Sequence, residues 1–218
     1  MMRALKKEKP LKKEIKVKIK NPHRISLRRM QIINGAIKVF SEKGFHNATV
    51  REIADASGVT EGTLYNYIRC KEDIIYIVYD YTTRILRDEI NKAIEGIQGP
   101  KERLKAALLQ NLYTVNRYQD LIMFLYRESG SLHREDLYLI LHRESDYIQL
   151  FERLLKDYFK GQGIDPVRLK LGADLLAYIP VIVSFRRWSL NRRIKSIDKM
   201  IAGIVEFVLK GIEFIPRG

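Results

Sequence analysis

Apolar residues recur every three or four positions along most of this chain, which is the spacing of one face of an α-helix. The first such stripe predicts a helix that begins near Ser26 and ends before Gly44, where a glycine suits a C-terminal cap. Its members are Met30, Ile33, Ile37 and Phe40. The segment before it, residues 1–25, is so rich in lysine that it has little to bury, and we predict a mobile arm there.

Two short helices joined by a tight turn are predicted next. Thr49 and Glu52 have the spacing of a capping box, in which each side chain satisfies a free backbone N–H group of the other residue. The helix that they open should stop at Gly58, and a second short helix should run from about Thr60 to Ile68. A small residue at Ala54 and the glycine in the turn let two such helices cross closely, as in a helix-turn-helix.

Six further helices are predicted beyond this pair. They cover about residues 71–97, 101–118, 120–129, 131–160 and 166–190, followed by a last helix whose apolar face is Ile197, Ile201, Ile204, Val205, Val208 and Ile212. Pro180 lies inside the helix at 166–190, where it removes one backbone hydrogen bond and predicts a kink. The pattern as a whole predicts an all-α protein of about nine helices.

Positive charge is concentrated in the first third of the chain. Residues 1–71 hold 17 lysines and arginines against 6 acidic residues, whereas the remaining 147 residues hold 23 against 20. A basic first third is expected of a protein that meets a polyanion, although charge alone does not separate DNA from RNA or an anionic membrane. We therefore predict an arm at residues 1–25, a DNA-binding helix-turn-helix domain at 26–72 and a larger helical domain at 73–218.

Composition excludes several other classes. The longest uncharged apolar run, from Leu175 to Phe185, is far shorter than the roughly 20 residues that a membrane-spanning helix needs. No apolar segment follows the basic N-terminus, so a secretory signal is not expected. The single cysteine, Cys70, cannot form an internal disulfide, and a reducing cytoplasm is the expected location.

We find no catalytic or metal-binding pattern. The candidate metal ligands do not repeat on one helical face and are interpreted as solvated helix surface; they are His133, His142, Glu128, Glu135 and Asp136. A nucleophile elbow, a phosphate loop and an acid–base pair in a recognisable context are all missing from the sequence. The expectation is a protein that is not an enzyme and uses neither a metal nor another cofactor.

The stretch from Gly44 to Ala54 (GFHNATVREIA), together with GVTEGTLYNY from Gly58 to Tyr67 and the following Lys71-Glu72, closely resembles the DNA-binding region of the TetR family of transcriptional regulators. The resemblance covers roughly residues 26–75. The departures are small, with Ala48, Ile68 and Cys70 standing where the family commonly has other residues. It implies a dimeric repressor with an N-terminal helix-turn-helix and a C-terminal helical domain that senses a small molecule and forms the dimer.

The resemblance assigns DNA contacts to one set of residues: Thr49, Arg51, Thr60, Glu61, Gly62, Thr63, Tyr65, Tyr67 and Lys71. It implies that Thr49 binds a phosphate at a helix N-terminus and that Lys71 neutralises another. It places residues 60–63 at the leading edge of the recognition helix, where Gly62 allows close approach to base edges. Two alternatives remain open: Tyr67 is equally well a core residue, and the arm is equally well a solvated tail.

The sequence defines the residues of the ligand site less well than those of the DNA-contacting site. Candidate cavity residues are Tyr113, Phe124, Tyr147, Phe151, Tyr178 and Arg187, any of which is also consistent with ordinary core or surface. Abundant aliphatic residues with arginines nearby favour an amphipathic anion such as a fatty acyl-CoA, and a neutral hydrophobic compound fits nearly as well. The resemblance implies a four-helix dimer interface formed by the last two helices of each subunit, and the apolar stripe from Ile197 to Ile212 favours the same interface.

The expected function is a ligand-relieved repressor of a palindromic operator. Two recognition helices about 34–36 Å apart would enter successive major grooves of double-stranded DNA. A different function remains possible at this stage, namely a non-specific basic protein that binds nucleic acid or an anionic surface through residues 1–25.

Overall fold

A computed structural model of the protein describes residues 22–128 and 134–213, and every regular element in those ranges is a helix, which confirms the all-α class. The described helices are α1 (Pro22–Asn47), α2 (Val50–Ala56), α3 (Glu61–Leu64), α4 (Glu72–Ile94), α5 (Pro100–Arg117), α6 (Gln119–Glu128), α7 (Arg134–Tyr158), α8 (Pro166–Phe185), α9 (Arg187–Arg193) and α10 (Ile197–Glu213).

The chain divides into two compact units. The first contains the described residues up to 74 together with 134–139, and the second contains residues 75–128 and 140–213. Most of the predicted arm, residues 1–21, lies outside the described residues. In the described ranges, none of the helices combines the length and the apolar character that crossing a membrane requires.

The first unit is built on α1. Its regular turns end at Gly44, whose φ of 75° and ψ of 163° are not helical, and one more turn follows to Asn47. The buried face of α1 is rotated from the predicted one. Met30 and Ile37, which belong to the predicted stripe, are only half-buried. The side chains that fill this core are Ile32, Ile33, Ala36, Val39, Phe40, Phe45, Ile53, Leu64, Tyr67 and Ile68.

The closest approach in this unit lies between α1 and the end of α2. A Cβ atom on Gly35 would stand 2.2 Å from Ser57 Oγ and 2.7 Å from the Ser57 backbone nitrogen. Ser57 is buried, and its hydroxyl donates to the Ile53 carbonyl at 2.6 Å. The sequence analysis named Ala54 as the small residue that lets the helices meet, and Ala54 is buried. The tighter contact is at Gly35, where any larger side chain would force α2 to shift.

The second unit has its core around α5. Helix α5 begins with Pro100 at its first turn, and its buried face includes Leu104, Leu108, Leu112 and Val115. The helix predicted at 166–190 is divided, because Arg186 leaves helical geometry with φ −102° and ψ 8° and separates α8 from α9. This division raises the helix count of the described residues to ten, compared with the predicted nine.

The last helix, α10, differs from the expectation that its apolar stripe needs a second subunit to be buried. Its apolar stripe is buried against the core of its own chain at Ile201, Val205, Val208 and Ile212, so it does not need a second subunit to leave water. Helix α8 instead presents an exposed apolar face. Four of its side chains, spaced at helical intervals, are more than half exposed: Val167, Leu171, Leu175 and Ile182. On α10, Phe207 is 80% exposed.

Replacing Gly35 by alanine is expected to destabilise the folded protein. The new methyl group would overlap the Ser57 backbone, which is not a flexible group, and we expect a loss of about 1–3 kcal/mol in the free energy of unfolding. Urea denaturation of the full chain, followed by circular dichroism, measures it. Gly62→Ala is the control, because nothing lies within 4 Å of that Cβ position. A Gly35→Ala variant more stable than the wild type would show that helix propensity, which favours alanine by about 0.5–1 kcal/mol, outweighs the overlap.

Candidate functional site

The N-terminus of α2 is fixed by the predicted capping box. The Glu52 backbone N–H donates to Thr49 Oγ1 at 3.2 Å, and the Thr49 N–H donates to Glu52 Oε2 at 3.0 Å. Lys43 reinforces the box, with its ammonium 2.5 Å from Glu52 Oε1. The hydrogen bond from Lys43, followed by those from Thr49, lowers the pKa of Glu52 to about 2, so the box carries an ionised carboxylate at neutral pH. Thr49 is exposed at this helix end.

The leading edge of α3 is exposed and locally ordered. Thr60 caps the helix by accepting from the Thr63 N–H at 3.1 Å, and the two hydroxyls lie 2.8 Å apart. Glu61 and Gly62 are exposed, and no side chain covers Gly62. Because α3 has only four residues, this edge is held by its cap and by the buried Leu64. The predicted helix to Ile68 is therefore too long.

The two tyrosines of this region have different surroundings. Tyr65 is 49% exposed, next to the leading edge of α3. Tyr67 is only 1% exposed, and its ring belongs to the core of the first unit, which corrects its assignment to the DNA-contacting set and favours the core alternative. Among the described residues no group accepts from or donates to the Tyr67 hydroxyl. Arg51 is exposed on α2, as expected of a residue that can reach DNA.

Lys71 is engaged inside the protein. Its ammonium donates to the backbone carbonyls of Phe45 at 2.8 Å, His46 at 3.1 Å and Ala48 at 3.0 Å. It also lies 4.5 Å from the centre of the Phe45 ring. An ammonium has three N–H donors, so these carbonyls use all of them. In this geometry the side chain holds the segment that leads into Thr49, and the contact of Lys71 with a phosphate stays a prediction.

The second unit contains a cavity of about 40 Å³ between α4, α5, α6, α7 and α8. Most of its wall is aliphatic, with Leu86, Val115, Ile122, Leu125 and Val181 among the lining residues. The polar lining residues include Thr82, Thr83 and Tyr147, together with four residues that we call the Glu144 cluster: Tyr79, Tyr126, Glu144 and Tyr178. Within it the Tyr79 hydroxyl donates to Glu144 Oε1, and the rings of Tyr126 and Tyr178 meet edge to face with 6.4 Å between centroids.

The predicted ligand residues divide into two groups. Tyr147 and Tyr178 line the cavity, and the Tyr147 hydroxyl donates to Asn111 Oδ1 at 2.7 Å. Phe124 and Phe151 are buried but do not line it. Two further residues lie at the surface of the unit, and neither lines the cavity: Tyr113 donates to Asp198 at 2.8 Å, and Arg187 pairs with Asp120. These four residues therefore do not line this cavity, and their assignment to a ligand site stays a prediction.

The sequence missed Tyr79, Tyr126 and Glu144. They come from three helices that are separate in sequence, and each lies in an ordinary amphipathic pattern, so no local signal marks them. Of the candidate metal ligands, Glu128 is buried and pairs with Arg127 at 2.9 Å. The side chains of His133, Glu135, Asp136 and His142 lie outside the described residues. In the part of the chain that the structure describes, no three potential metal ligands come together.

Comparisons with known proteins show similarity to one family of regulatory proteins. Residues 32–75 match the family described as bacterial regulatory proteins, tetR family. The HTH-type transcriptional regulator HbdR of Aromatoleum sp. (strain CIB) is 29% identical over 89% of this chain and 85% of its own length. A tetR-family regulatory protein from Rhodococcus RHA1 shares the fold with a TM-score of 0.72 at 20% identity, over 85% of this chain and 96% of that one.

A second solved structure, of AibR in complex with isovaleryl coenzyme A and operator DNA, has a TM-score of 0.66 at 22% identity, over 83% of this chain and 97% of that one. The matched family region contains the capped α2 and the exposed edge of α3, the two features that the geometry offers to DNA. Residues 32–75 thus match the tetR family of bacterial regulatory proteins, and over most of its length the chain is similar to an HTH-type transcriptional regulator and shares the fold of tetR-family proteins.

Proposed function

We propose that this protein is a homodimeric repressor that binds a near-palindromic operator in the cytoplasm and leaves it when a small effector enters the cavity of the second unit. The observation that carries the proposal is the capped edge formed by Thr49, Thr60 and Thr63, of which Thr49 and Thr60 are exposed and Thr63 is half-buried. Chemical turnover of the effector is no part of this function.

The proposed DNA contacts follow from exposure. Thr49 offers a hydroxyl and neighbouring N–H groups to a phosphate, as at other helix N-termini that bind anions. Glu61, Gly62 and Thr63 meet base edges in the major groove, where a carboxylate can accept from a cytosine amino group and a threonine methyl can contact thymine. Tyr65 and Arg51 contact the backbone beside them. Lys71 and Tyr67 take part only by holding this edge in place.

The exposed apolar face of α8, with Phe207 of α10, is the proposed dimer interface. A monomer would leave this contiguous face in water, and large exposed apolar patches of this kind mark protein–protein contacts. Pairing α8 and α10 with their copies in a second subunit would form a four-helix bundle. The dimer is needed for function because one α3 edge reads only half of a palindrome.

The effector is supported by the cavity and by relatives. An internal space with mostly aliphatic walls and a few polar groups is typical of small-molecule sites. AibR, which shares this fold, has been solved with isovaleryl coenzyme A and operator DNA. An acyl-CoA is therefore the effector class that this relative suggests, and it is tested first.

The function is tested with DNA selected from a random duplex pool. We expect enrichment of an inverted repeat whose half-site centres are about one helical turn apart, and binding to it at least 100-fold tighter than to random duplex. Octanoyl-CoA added to that complex should weaken binding; a 100-fold loss would correspond to about 2.7 kcal/mol of coupling. Failure to enrich any sequence would contradict the repressor and would favour the non-specific basic binder.

Replacing Leu171 or Ile182 by glutamate is expected to convert the dimer to a monomer, because each change buries a carboxylate in the proposed interface. Light scattering after size-exclusion chromatography measures the mass. Gln149→Glu introduces the same charge on the exposed surface of α7 and should leave the dimer intact. A dimer that survives both α8 substitutions would show that the subunits meet elsewhere.

The role of Lys71 is tested by Lys71→Met. Loss of the three carbonyl contacts should displace the segment before Thr49 and weaken operator binding by tenfold or more. The slope of log K against log salt should stay unchanged, whereas a lost phosphate contact would reduce it by about 0.9. Lys38→Met removes the same charge from the exposed face of α1 and serves as the control. A reduced slope in Lys71→Met would show that this lysine contacts DNA directly.

A further inference from the structure

The Glu144 cluster forms the polar centre of the cavity, and the carboxylate of Glu144 gives this centre a negative charge. Glu144 belongs to α7, and it accepts from the hydroxyl of Tyr79 on α4. Tyr178 of α8 and Tyr126 of α6 complete the cluster, and both line the cavity. Lysine and arginine are missing from the lining residues that the structure describes. The carboxylate therefore faces a largely apolar space in which tyrosine hydroxyls are its neighbours, and no cation among the described lining residues balances it.

The tyrosines cannot share this negative charge. Burial, and then the charge of Glu144, raises the pKa of Tyr79 far above its usual value of 10.0. Burial also raises the pKa of Tyr178, with the neighbouring Tyr79 and Glu144 adding to the effect. Both phenols stay neutral at any physiological pH, so their rings offer electron-rich faces and their hydroxyls offer hydrogen bonds. Such rings attract cations within about 6 Å of their centres.

A carboxylate or phosphate placed in this cavity would meet Glu144 without a compensating cation among the described lining residues, and like charges in an apolar site repel strongly. A positively charged nitrogen would gain both an ion pair and aromatic faces. We infer that the cavity binds a compound with an apolar body and a cationic nitrogen, the nitrogen against Glu144 among the rings of Tyr79, Tyr126 and Tyr178. This inference rests on the proposed role of the cavity as the effector site.

The size of the cavity limits what enters without rearrangement. A space of about 40 Å³ has room for roughly three water molecules. A small ammonium group fits that space, whereas the apolar body attached to it requires the aliphatic wall to move apart. An acyl-CoA would bring only the uncharged end of its acyl chain to the Glu144 cluster, and it would bury the carboxylate against methyl groups.

Isothermal titration calorimetry of the full-length protein without DNA tests the inference. Three probes share a six-carbon chain and differ in charge: hexylammonium, hexan-1-ol and hexanoate. At pH 7.5 we expect hexylammonium to bind at least tenfold more tightly than hexan-1-ol, and hexanoate to bind more weakly than either. Hexanoate binding as tightly as hexylammonium, or hexan-1-ol binding as tightly as hexylammonium, would overturn the inference.

Glu144→Gln locates the effect. We expect this variant to bind hexylammonium and hexan-1-ol within about threefold of each other, because the amide keeps the shape of the side chain and removes its charge. Glu152→Gln is the matched control, since it removes a carboxylate from the same helix outside the cavity and should keep the full preference. A Glu144→Gln protein that retains the tenfold preference would overturn the inference. If that variant does not fold, Tyr178→Leu, which removes an aromatic ring from the proposed nitrogen site, takes its place and should reduce the preference at least threefold; an unchanged preference there would overturn the inference too.

The DNA experiment separates this inference from the proposed function. Hexylammonium that binds by calorimetry and also weakens operator binding supports both. Hexylammonium that binds without affecting operator DNA supports the inference and contradicts the effector role of the cavity. Binding of octanoyl-CoA and hexanoate, with release of the operator and no binding of hexylammonium, would overturn the inference and leave the proposed function intact.

Discussion

The DNA-contacting edge depends on tertiary support, because its two helices are too short to be stable by themselves. Helix α2 has seven residues and α3 has four, whereas isolated helices shorter than about 12–15 residues are marginal in water. The missing stability comes from the close approach of Gly35 to Ser57 and from the caps at Thr49 and Thr60. Among the described residues, the groups proposed to contact a duplex lie on these two helices or next to them, so their placement depends on the packing beneath them.

Lys71 shows how that support reaches the N-terminus of α2. The carbonyls of Phe45, His46 and Ala48 lie after the last regular turn of α1, where helix ends leave carbonyl groups without intrahelical partners. A single ammonium satisfies three of them and adds a contact with the Phe45 ring. The positive charge thus contributes by ordering the backbone that precedes Thr49. Net positive charge in a DNA-binding region is therefore no guide to which lysines reach DNA.

The sequence was sufficient for the fold class and for the local structure of the first unit, because caps and turns are encoded by neighbouring residues such as Thr49 with Glu52 and by Gly58 with its φ of 64°. It was insufficient wherever the structure depends on contacts between segments that are distant in sequence. Gly35 matters only because Ser57 packs on it, and Ile201 is buried by its own chain although its pattern is equally consistent with a subunit interface. The Glu144 cluster joins residues from four helices, so no spacing along the chain reveals it.

The same cluster gives a physical reason why a small bound compound would favour one conformation of the protein over another. A ligand changes the balance between two conformations only by its different affinity for them, and a purely apolar body gains similar free energy wherever aliphatic walls close around it. A half-buried carboxylate with no cation among the described lining residues of the cavity gives a sharper difference. An ion pair at 4 Å is worth about 4 kcal/mol at an effective dielectric constant of 20, and it weakens as water enters. A conformation that closes the walls around Glu144 and a cationic nitrogen is therefore favoured over one that leaves them wet, and the polar centre of the cavity, more than its aliphatic surface, is what makes binding selective for one conformation.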